Sequence, residues 1–207
     1  PTPDEICGVA VPHLEKAARA VVSFGQGCEG EPLLQAETLA GSIEAMRRAT
    51  SRGTINLNSN GSLPAAVDRL CRSGLDSIRV SLNSARPEYY NAYFRPRGYT
   101  FDDVGQSIQV VKSHHKFASI NYFVLPGFTD DEEEYQALCR LVQETGIDMI
   151  QLRNLNIDPE WVLRKLGAQS GRKNMGIRPL MTRLRESFPD LRFGYFNPCL
   201  DSAALAS

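Results

Sequence analysis

The 207-residue chain has no apolar run near the ~20 residues that a bilayer-spanning helix requires. It also lacks an excess of either charge. With 23 Lys and Arg against 24 Asp and Glu, the formal net charge is -1, which removes the attraction that nucleic acid or an anionic membrane surface needs. Cysteine is scarce and scattered: Cys7, Cys28, Cys71, Cys139 and Cys199 are odd in number and form no C-x-x-C. Neither a disulfide framework nor a zinc ribbon is expected, and a reducing, cytoplasmic setting is. No Gly-Lys-Ser/Thr is present, which excludes a P-loop. What remains is an ordinary globular composition, 42% hydrophobic and 23% charged, long enough for one sizeable core.

Helix and strand patterns alternate along the chain. Thr2-Pro3-Asp4-Glu5 has the form of a capping box with proline at the first helical position, so a helix is expected to about Ala18. A strand follows over about 20–24, then a helix marked by Leu39, Ile43 and Met46, and a strand over 54–58. Val67, Leu70 and Cys71 define a helix ending at Gly74, a left-handed cap, before the strand Ser77–Asn83. A loop rich in Tyr, Arg and Pro (84–100) precedes a helix carrying Val104, Ile108 and Val111, and then the strand SINYFVL. Thr129 and Glu132 suggest a second capping box, opening a helix that ends at Gly146, before the strand Met149–Asn154. Short helices near 159–166 and 178–188 and a last strand LRFGYF complete the pattern. Gly74-Leu75-Asp76-Ser77-Ile78 and Gly146-Ile147-Asp148-Met149-Ile150 share the form Gly-apolar-Asp-x-Ile, two helix–strand units apart. Such alternation implies a parallel sheet with right-handed crossovers.

The strands are more polar than a sheet buried on both faces allows. Alternate positions carry Asn56, Asn58, Arg79, Ser81, Asn83, Asn121, Gln151 and Arg153. A partial (β/α) TIM-like barrel of about five to six parallel strands resolves this, with helices outside and a polar lumen inside. Each buried polar group left unpaired would cost about 1–3 kcal/mol, so the lumen must meet water, other side chains or a polar ligand. An antiparallel sheet with one wet face gives the same alternation, but helices of about 10–15 residues separate the strands and no hairpin signal appears.

The loop GQGCEGEP after the first strand contains Gly25, Gly27 and Gly30 in a G-x-G-x-x-G spacing. A dinucleotide reading fails on charge. Glu29 and Glu31 would repel a pyrophosphate, and the next strand ends in Asn58-Ser59-Asn60 without the acid that would bind ribose. Exposed carbonyls and a carboxylate suit a cation such as a primary ammonium; a plain turn with solvated glutamates is the alternative.

Taken in order, these segments resemble the radical S-adenosylmethionine (radical SAM) family over about residues 2–158. SFGQGCEGEPLL resembles the family's glycine–glutamate–proline loop, which implies that the backbone of Gly30, Glu31 and Pro32 holds the amino group of the methionine moiety. LNSNGSLP resembles the third-strand ending, with Asn58 to Gly61 at its Thr-Asn-Gly position. IRVSLNSARPEYYN resembles the fourth strand, which implies contacts from Ser81 and Asn83 to carboxylate and ribose. In NYFVLPGFTDDEEE, Asn121 faces the lumen and the backbone from Val124 to Gly127 is implied to pack on adenine; Arg153 ends the sixth strand as a possible anion partner. Arg79 and Arg153 are expected to meet an anion of substrate or SAM, or else to pair with Glu29 or Glu31.

The family's C-x-x-x-C-x-x-C, which ligates a [4Fe–4S] cluster, is absent from these residues. The expectation is therefore a fragment: the SAM-binding part of a radical SAM enzyme, with the first strand and cluster loop missing, 1–157 forming the barrel and 158–207 adding C-terminal helices to the same domain. SAM and a [4Fe–4S] cluster are expected cofactors of the full-length protein, with an electron-donor protein as a possible partner; no cluster and no catalysis are expected of this chain alone. The rivals are a non-catalytic barrel that binds a small polar ligand or partner protein, and a nicotinamide-dependent oxidoreductase. His13 reads as partial core or surface and His114-His115 as structural helix-end residues. The acidic run Asp130–Glu134 reads as a solvated helix start, and Tyr89, Tyr90, Tyr93 and Phe94 as a helix and loop over the barrel mouth.

Overall fold

The structure, a computed structural model, describes residues 1–25, 30–168 and 174–200. Within them, six strands form one sheet: β1 (Val21–Phe24), β2 (Thr54–Ser59), β3 (Ser77–Leu82), β4 (Phe117–Val124), β5 (Met149–Asn154) and β6 (Arg192–Gly194). Their spatial order follows their order in sequence, and every neighbouring pair is parallel. The antiparallel alternative is thereby excluded, and the fold is an open, partial (β/α) barrel. Helices α1 (Pro3–Lys16), α2 (Ala36–Ala49), α3 (Pro64–Ser73), α5 (Phe101–Ser113), α6 (Glu132–Thr145) and α8 (Ile177–Ser187) contribute to the main core. Two shorter helices, α4 (Pro87–Phe94) and α7 (Pro159–Leu166), follow the carboxyl ends of β3 and β5 and pack against each other.

The alternation in the strands is what the sheet uses. Ile55, Leu57, Ile78, Val80, Leu82, Ile120, Tyr122 and Ile150 are wholly buried in the core with the helices. The intervening Ser23, Asn56, Asn58, Ser77, Arg79, Ser119, Asn121 and Gln151 share the other face, and adjacent strands match them in register: Ser23 with Asn56, Asn58 with Arg79, Asn121 with Gln151. A single side chain proves that this face is concave. Asn197, beyond β6, donates to Ser23 Oγ at 3.3 Å and Asn58 Oδ1 at 3.2 Å while its own Oδ1 accepts from Gln151 Nε2 at 3.1 Å. In a flat sheet β1 and β5 would lie four spacings apart, about 19 Å, beyond the reach of one asparagine.

The Gly-apolar-Asp-x-Ile echo is a repeated brace at the amino ends of the strands. Asp76 accepts from the Ile55 amide of β2 at 2.7 Å and pairs with Arg47 of α2. Asp148 does the same one repeat later, accepting from Ala118 of β4 at 2.7 Å and from Lys112 of α5 at 2.6 Å. Each carboxylate, placed just before β3 or β5, ties the preceding strand to the helix that leads into that strand. The preceding Gly74 and Gly146 are both left-handed caps, as their position after the apolar stripe predicts.

One local expectation is corrected. Thr129 does not cap α6; its hydroxyl is held between the Leu125 amide and the Phe123 carbonyl, and Asp131 is the cap, accepting from Glu133 and Glu134 amides. Within 84–100, the helix expected around Tyr89 to Phe94 forms as α4. The box at Thr2 and Glu5 forms as expected.

Asp148→Ala should lower stability by about 1–3 kcal/mol in urea unfolding, because it strands the buried Ala118 amide and the Lys112 ammonium together. Asp76→Ala should cost a similar amount for the same reason.

Candidate functional site

The carboxyl ends of the strands converge with their loops at one end of the concave face. The glycine loop begins there with Gly25, at φ +72. A Cβ at this position would stand 2.2 Å from the Asn58 carbonyl oxygen and 2.7 Å from Pro32 Cγ. The end of β1 thus lies against the end of β2 so closely that only glycine fits. Gly27, Cys28 and Glu29 lie outside the described residues. Gly30 follows at φ +90 with open space beside it, and Glu31 and Pro32 begin a 3-10 turn, Pro32–Gln35.

Glu31 corrects an expectation about charge. Its carboxylate is neither solvated nor free for a cation; it accepts from Ser59 Oγ at 2.6 Å, the Asn60 amide at 2.8 Å and the Leu33 amide at 3.1 Å. It locks the loop to the end of β2. Among the described residues of the loop, the groups left to face a cation are its backbone carbonyls. Glu31 does not pair with Arg79 or Arg153 either, so among the described residues that expected ion pair is absent.

The remaining expected residues fall into two groups. Asn58, Ser81, Asn121 and Arg153 share the concave face of β2, β3, β4 and β5. Asn83, Val124 and Gly127 lie at the strand ends: Asn83 donates to the Tyr89 carbonyl at 3.1 Å, the Val124 carbonyl accepts from Leu155 at 3.1 Å, and Gly127 donates to Asp130 at 2.6 Å. The side chain of Val124 is on the core side.

This face is incompletely satisfied. Among the described residues, Asn58 Nδ2, Arg79 Nε, Asn83 Oδ1, Asn121 Oδ1 and Arg153 Nε are buried atoms without a hydrogen-bond partner. Buried polar atoms are normally paired, so a cluster of orphans along one concave surface is what a polar ligand would complete. Both donors and acceptors are open, which fits a zwitterion such as SAM. A metal cluster does not fit the described residues. No three His, Cys, Asp or Glu side chains among them are placed to hold a metal. Burial pushes the Cys71 thiol up to about 11, and Cys7 is raised by burial and by Asp4, so neither favours thiolate. Cys199 lies at the opposite end, beside Thr54 and the Ala20 carbonyl.

The acidic run is divided: Glu132 and Glu133 are exposed in the first turn of α6 as expected, whereas Asp130, Asp131 and Glu134 are buried and form a structural hub. Glu134 is wholly buried and accepts from Ser84 Oγ at 2.7 Å, the Ala85 amide at 2.7 Å and Arg86 Nε at 2.8 Å, and also from the Tyr122 hydroxyl. Burial, then the Glu134 charge, raises Tyr122 well above its ordinary pKa, so it stays a donor. The hub pins the loop after β3 to α6. Asp130 adds a second tie, accepting from Gly127 and Gly176 amides. Helical phase marks Glu134, which shares the face of Leu138, Leu141 and Thr145. Asn197 had no comparable signal, because it follows a three-residue strand in irregular chain. His13 is exposed, and His114 Nε2 meets Asp68 Oδ1 at 2.7 Å, both structural as expected.

Comparison with known proteins agrees with this geometry. The family model for the Radical SAM superfamily matches residues 10–139. No curated protein matches the sequence. Among solved structures, a domain of pyruvate-formate lyase-activating enzyme from Bacteroides vulgatus superposes with a TM-score of 0.58 at 14% identity, covering 85% of this chain and 98% of that one. A radical SAM methyltransferase from Sphaerobacter thermophilus gives 0.62 at 18% identity, covering 94% of this chain and 58% of that one. SuiB from Streptococcus suis, solved with S-adenosylmethionine, gives 0.55 at 18% identity, covering 86% of this chain and 38% of that one. The chain therefore spans little more than half of the methyltransferase and less of SuiB. No described helix is long and apolar enough to cross a membrane.

Two substitutions test this framework. Gly25→Ala should cost at least ~2 kcal/mol in urea unfolding, from the left-handed φ and the contact with Asn58 together. Glu134→Ala should cost about 3–5 kcal/mol, because it leaves Arg86 and the Ala85 amide without their buried acceptor.

Proposed function

Because the chain belongs to the radical SAM superfamily, we propose that it is the SAM-binding part of a radical SAM enzyme. One observation carries this reading: among the described residues, the orphaned donor of Asn58 and the orphaned acceptors of Asn83 and Asn121 are grouped along one concave face and its carboxyl rim. SAM and a reduced [4Fe–4S] cluster together supply a carbon-centred radical by reductive cleavage of the sulfonium. The protein's part is placement. Backbone carbonyls of Gly30 to Pro32 would hold the ammonium, with Glu31 keeping that loop in register through Ser59 and Asn60. Ser81 and Asn83 would hold the carboxylate and ribose, and the backbone from Val124 to Gly127 would hold adenine.

The cluster is held by polypeptide outside these 207 residues, since the sequence contains no C-x-x-x-C-x-x-C. The free edge of β1 supports that reading. Two clefts of about 570 and 510 Å³ border it, lined by Ile6, Val9, Val22, Phe24 and Leu39 among others. Val9 stands 79% exposed there, part of an apolar surface that a further strand and loop would cover. An electron-donor protein would then serve the completed enzyme.

Anaerobic purification of the full gene product should yield about four irons and four sulfides per chain. The isolated 207-residue chain should release no 5′-deoxyadenosine from SAM under reduction. A full product without iron and sulfide would favour the non-catalytic barrel instead, and turnover by the isolated chain would refute the fragment reading.

A further inference from the structure

Among the described residues, Arg79 and Arg153 have no carboxylate partner. Arg79 projects from β3 across the concave face, and its Nη1 reaches Gln151 Oε1 on β5 at 3.4 Å, a long contact to a neutral acceptor. Arg153 lies two residues beyond Gln151 on the same face, and its guanidinium carbon sits 4.6 Å from the centroid of the Tyr195 ring. Neither makes a salt bridge among the described residues, and Nε of each is a buried orphan. Each is partly withdrawn from water. Burial, and then the charge of Arg153, pulls the pKa of Arg79 below its ordinary value. Two guanidiniums of like charge brought together without a counter-ion are costly to the folded state, and proteins normally relieve that with a carboxylate.

Elsewhere this chain does so. Arg47 has Asp76, Arg69 has Glu44, Arg86 has Glu134 and Arg183 has Glu132. Among the described residues of the glycine loop, the carboxylate of Glu31 is occupied by Ser59 and two amides.

We propose that Arg79 and Arg153, floored by Gln151, form an oxyanion-binding site that takes a carboxylate or phosphate of the substrate, so that the substrate is an organic acid or a phosphate ester. This rests on the SAM reading, and charge separates the two ligands. SAM carries a sulfonium and an ammonium against one carboxylate, so it adds net positive charge to a lumen that already holds two guanidiniums. The cofactor cannot neutralise the pair; a second, anionic molecule does. Arg79 lies two residues below Ser81 on β3, toward the interior from the strand ends assigned to the cofactor, and Arg153, in register with Phe123, closes the site from the rim side above Gln151. The floor is built to hold the acceptor still: Asn197 bonds Gln151 Nε2, which leaves Gln151 Oε1 turned to Arg79. Guanidinium forks match carboxylate and phosphate oxygens in pairs, which an ammonium would not.

Isothermal titration of the full gene product with malonate and with inorganic phosphate tests the site and separates the two oxyanions. S-adenosylhomocysteine is titrated in parallel. At least one anion should bind, and Arg79→Gln and Arg153→Gln should each weaken it 10-fold or more. Arg79→Lys and Arg153→Lys, which keep the charge but lose the fork, should fall between. Affinity for S-adenosylhomocysteine should stay within threefold throughout. Neither glutamine variant should unfold at lower temperature, because each removes a charge that no carboxylate balances. Anion binding that is absent from the unmutated protein, or unchanged in both glutamine variants, overturns the proposal. So does a parallel loss of S-adenosylhomocysteine affinity, which would assign the guanidiniums to the cofactor's carboxylate. Anion binding that depends on both arginines while S-adenosylhomocysteine binds no form would remove the cofactor reading and leave the anion site standing.

Discussion

Curling a parallel sheet until its first and fifth strands meet through one side chain is the constraint on which this molecule depends. A parallel sheet with helices on both faces tolerates only apolar strands. Here one face is given largely to hydrogen-bonding groups, so it does not dock a second layer of helices. It can only face itself. Asn197 completes that arrangement from outside the strands, bridging Ser23 and Asn58 to Gln151. Ser77 and Asn56 continue the same network below it, at 2.8 Å. The lower part of the lumen is thus closed by its own amides and hydroxyls, and the unsatisfied atoms collect above it.

That division sorts the polar residues by task. Ser23, Asn56, Ser77 and Asn197 are mutually satisfied and act as filling. Asn58, Arg79, Asn83, Asn121 and Arg153 each retain an open atom. The acidic residues are sorted as well. Asp76 and Asp148 brace the amino ends of strands, Glu31 fixes the glycine loop, and Asp130 and Glu134 fix the loops after β4 and β3. Carboxylates build the frame on which the lumen stands.

Much of this was legible in the residues, for physical reasons that also mark where legibility ends. Period-2 alternation in Ile78-Arg79-Val80-Ser81-Leu82 reports strand and facing together, and caps such as Gly74 and Gly146 carry their own backbone requirement. Which polar atoms pair across the lumen depends on register and curl, and neither is local. Glu31 shows the difference: in sequence it is a charge in a glycine loop, and only the approach of β2 to Gly25 reveals that Ser59 and Asn60 consume it. Thr129 and Glu132 have the right spacing for a capping box but lose to Asp131, because the Thr129 hydroxyl is claimed by the turn after β4. The acidic run misleads for a similar reason, since a count of charges ignores that Glu134 falls in phase with Leu138 and Leu141.

The net charge of the chain conceals the electrostatics of its interior. A formal total of -1 describes a balance over the whole surface, yet the carboxylates that contribute to it are spent at strand ends, loop ties and exposed ion pairs. The concave face is left with two guanidiniums and a set of amides. Field lines from a partly desolvated pair in a concave wall are less screened than those from a surface pair. A site of one sign can therefore exist inside a protein of nearly zero net charge, provided that the opposite charges are fixed by structural hydrogen bonds and cannot migrate to it. Glu31, held by three donors at the rim, is the clearest case: releasing it toward Arg79 would unlock the glycine loop.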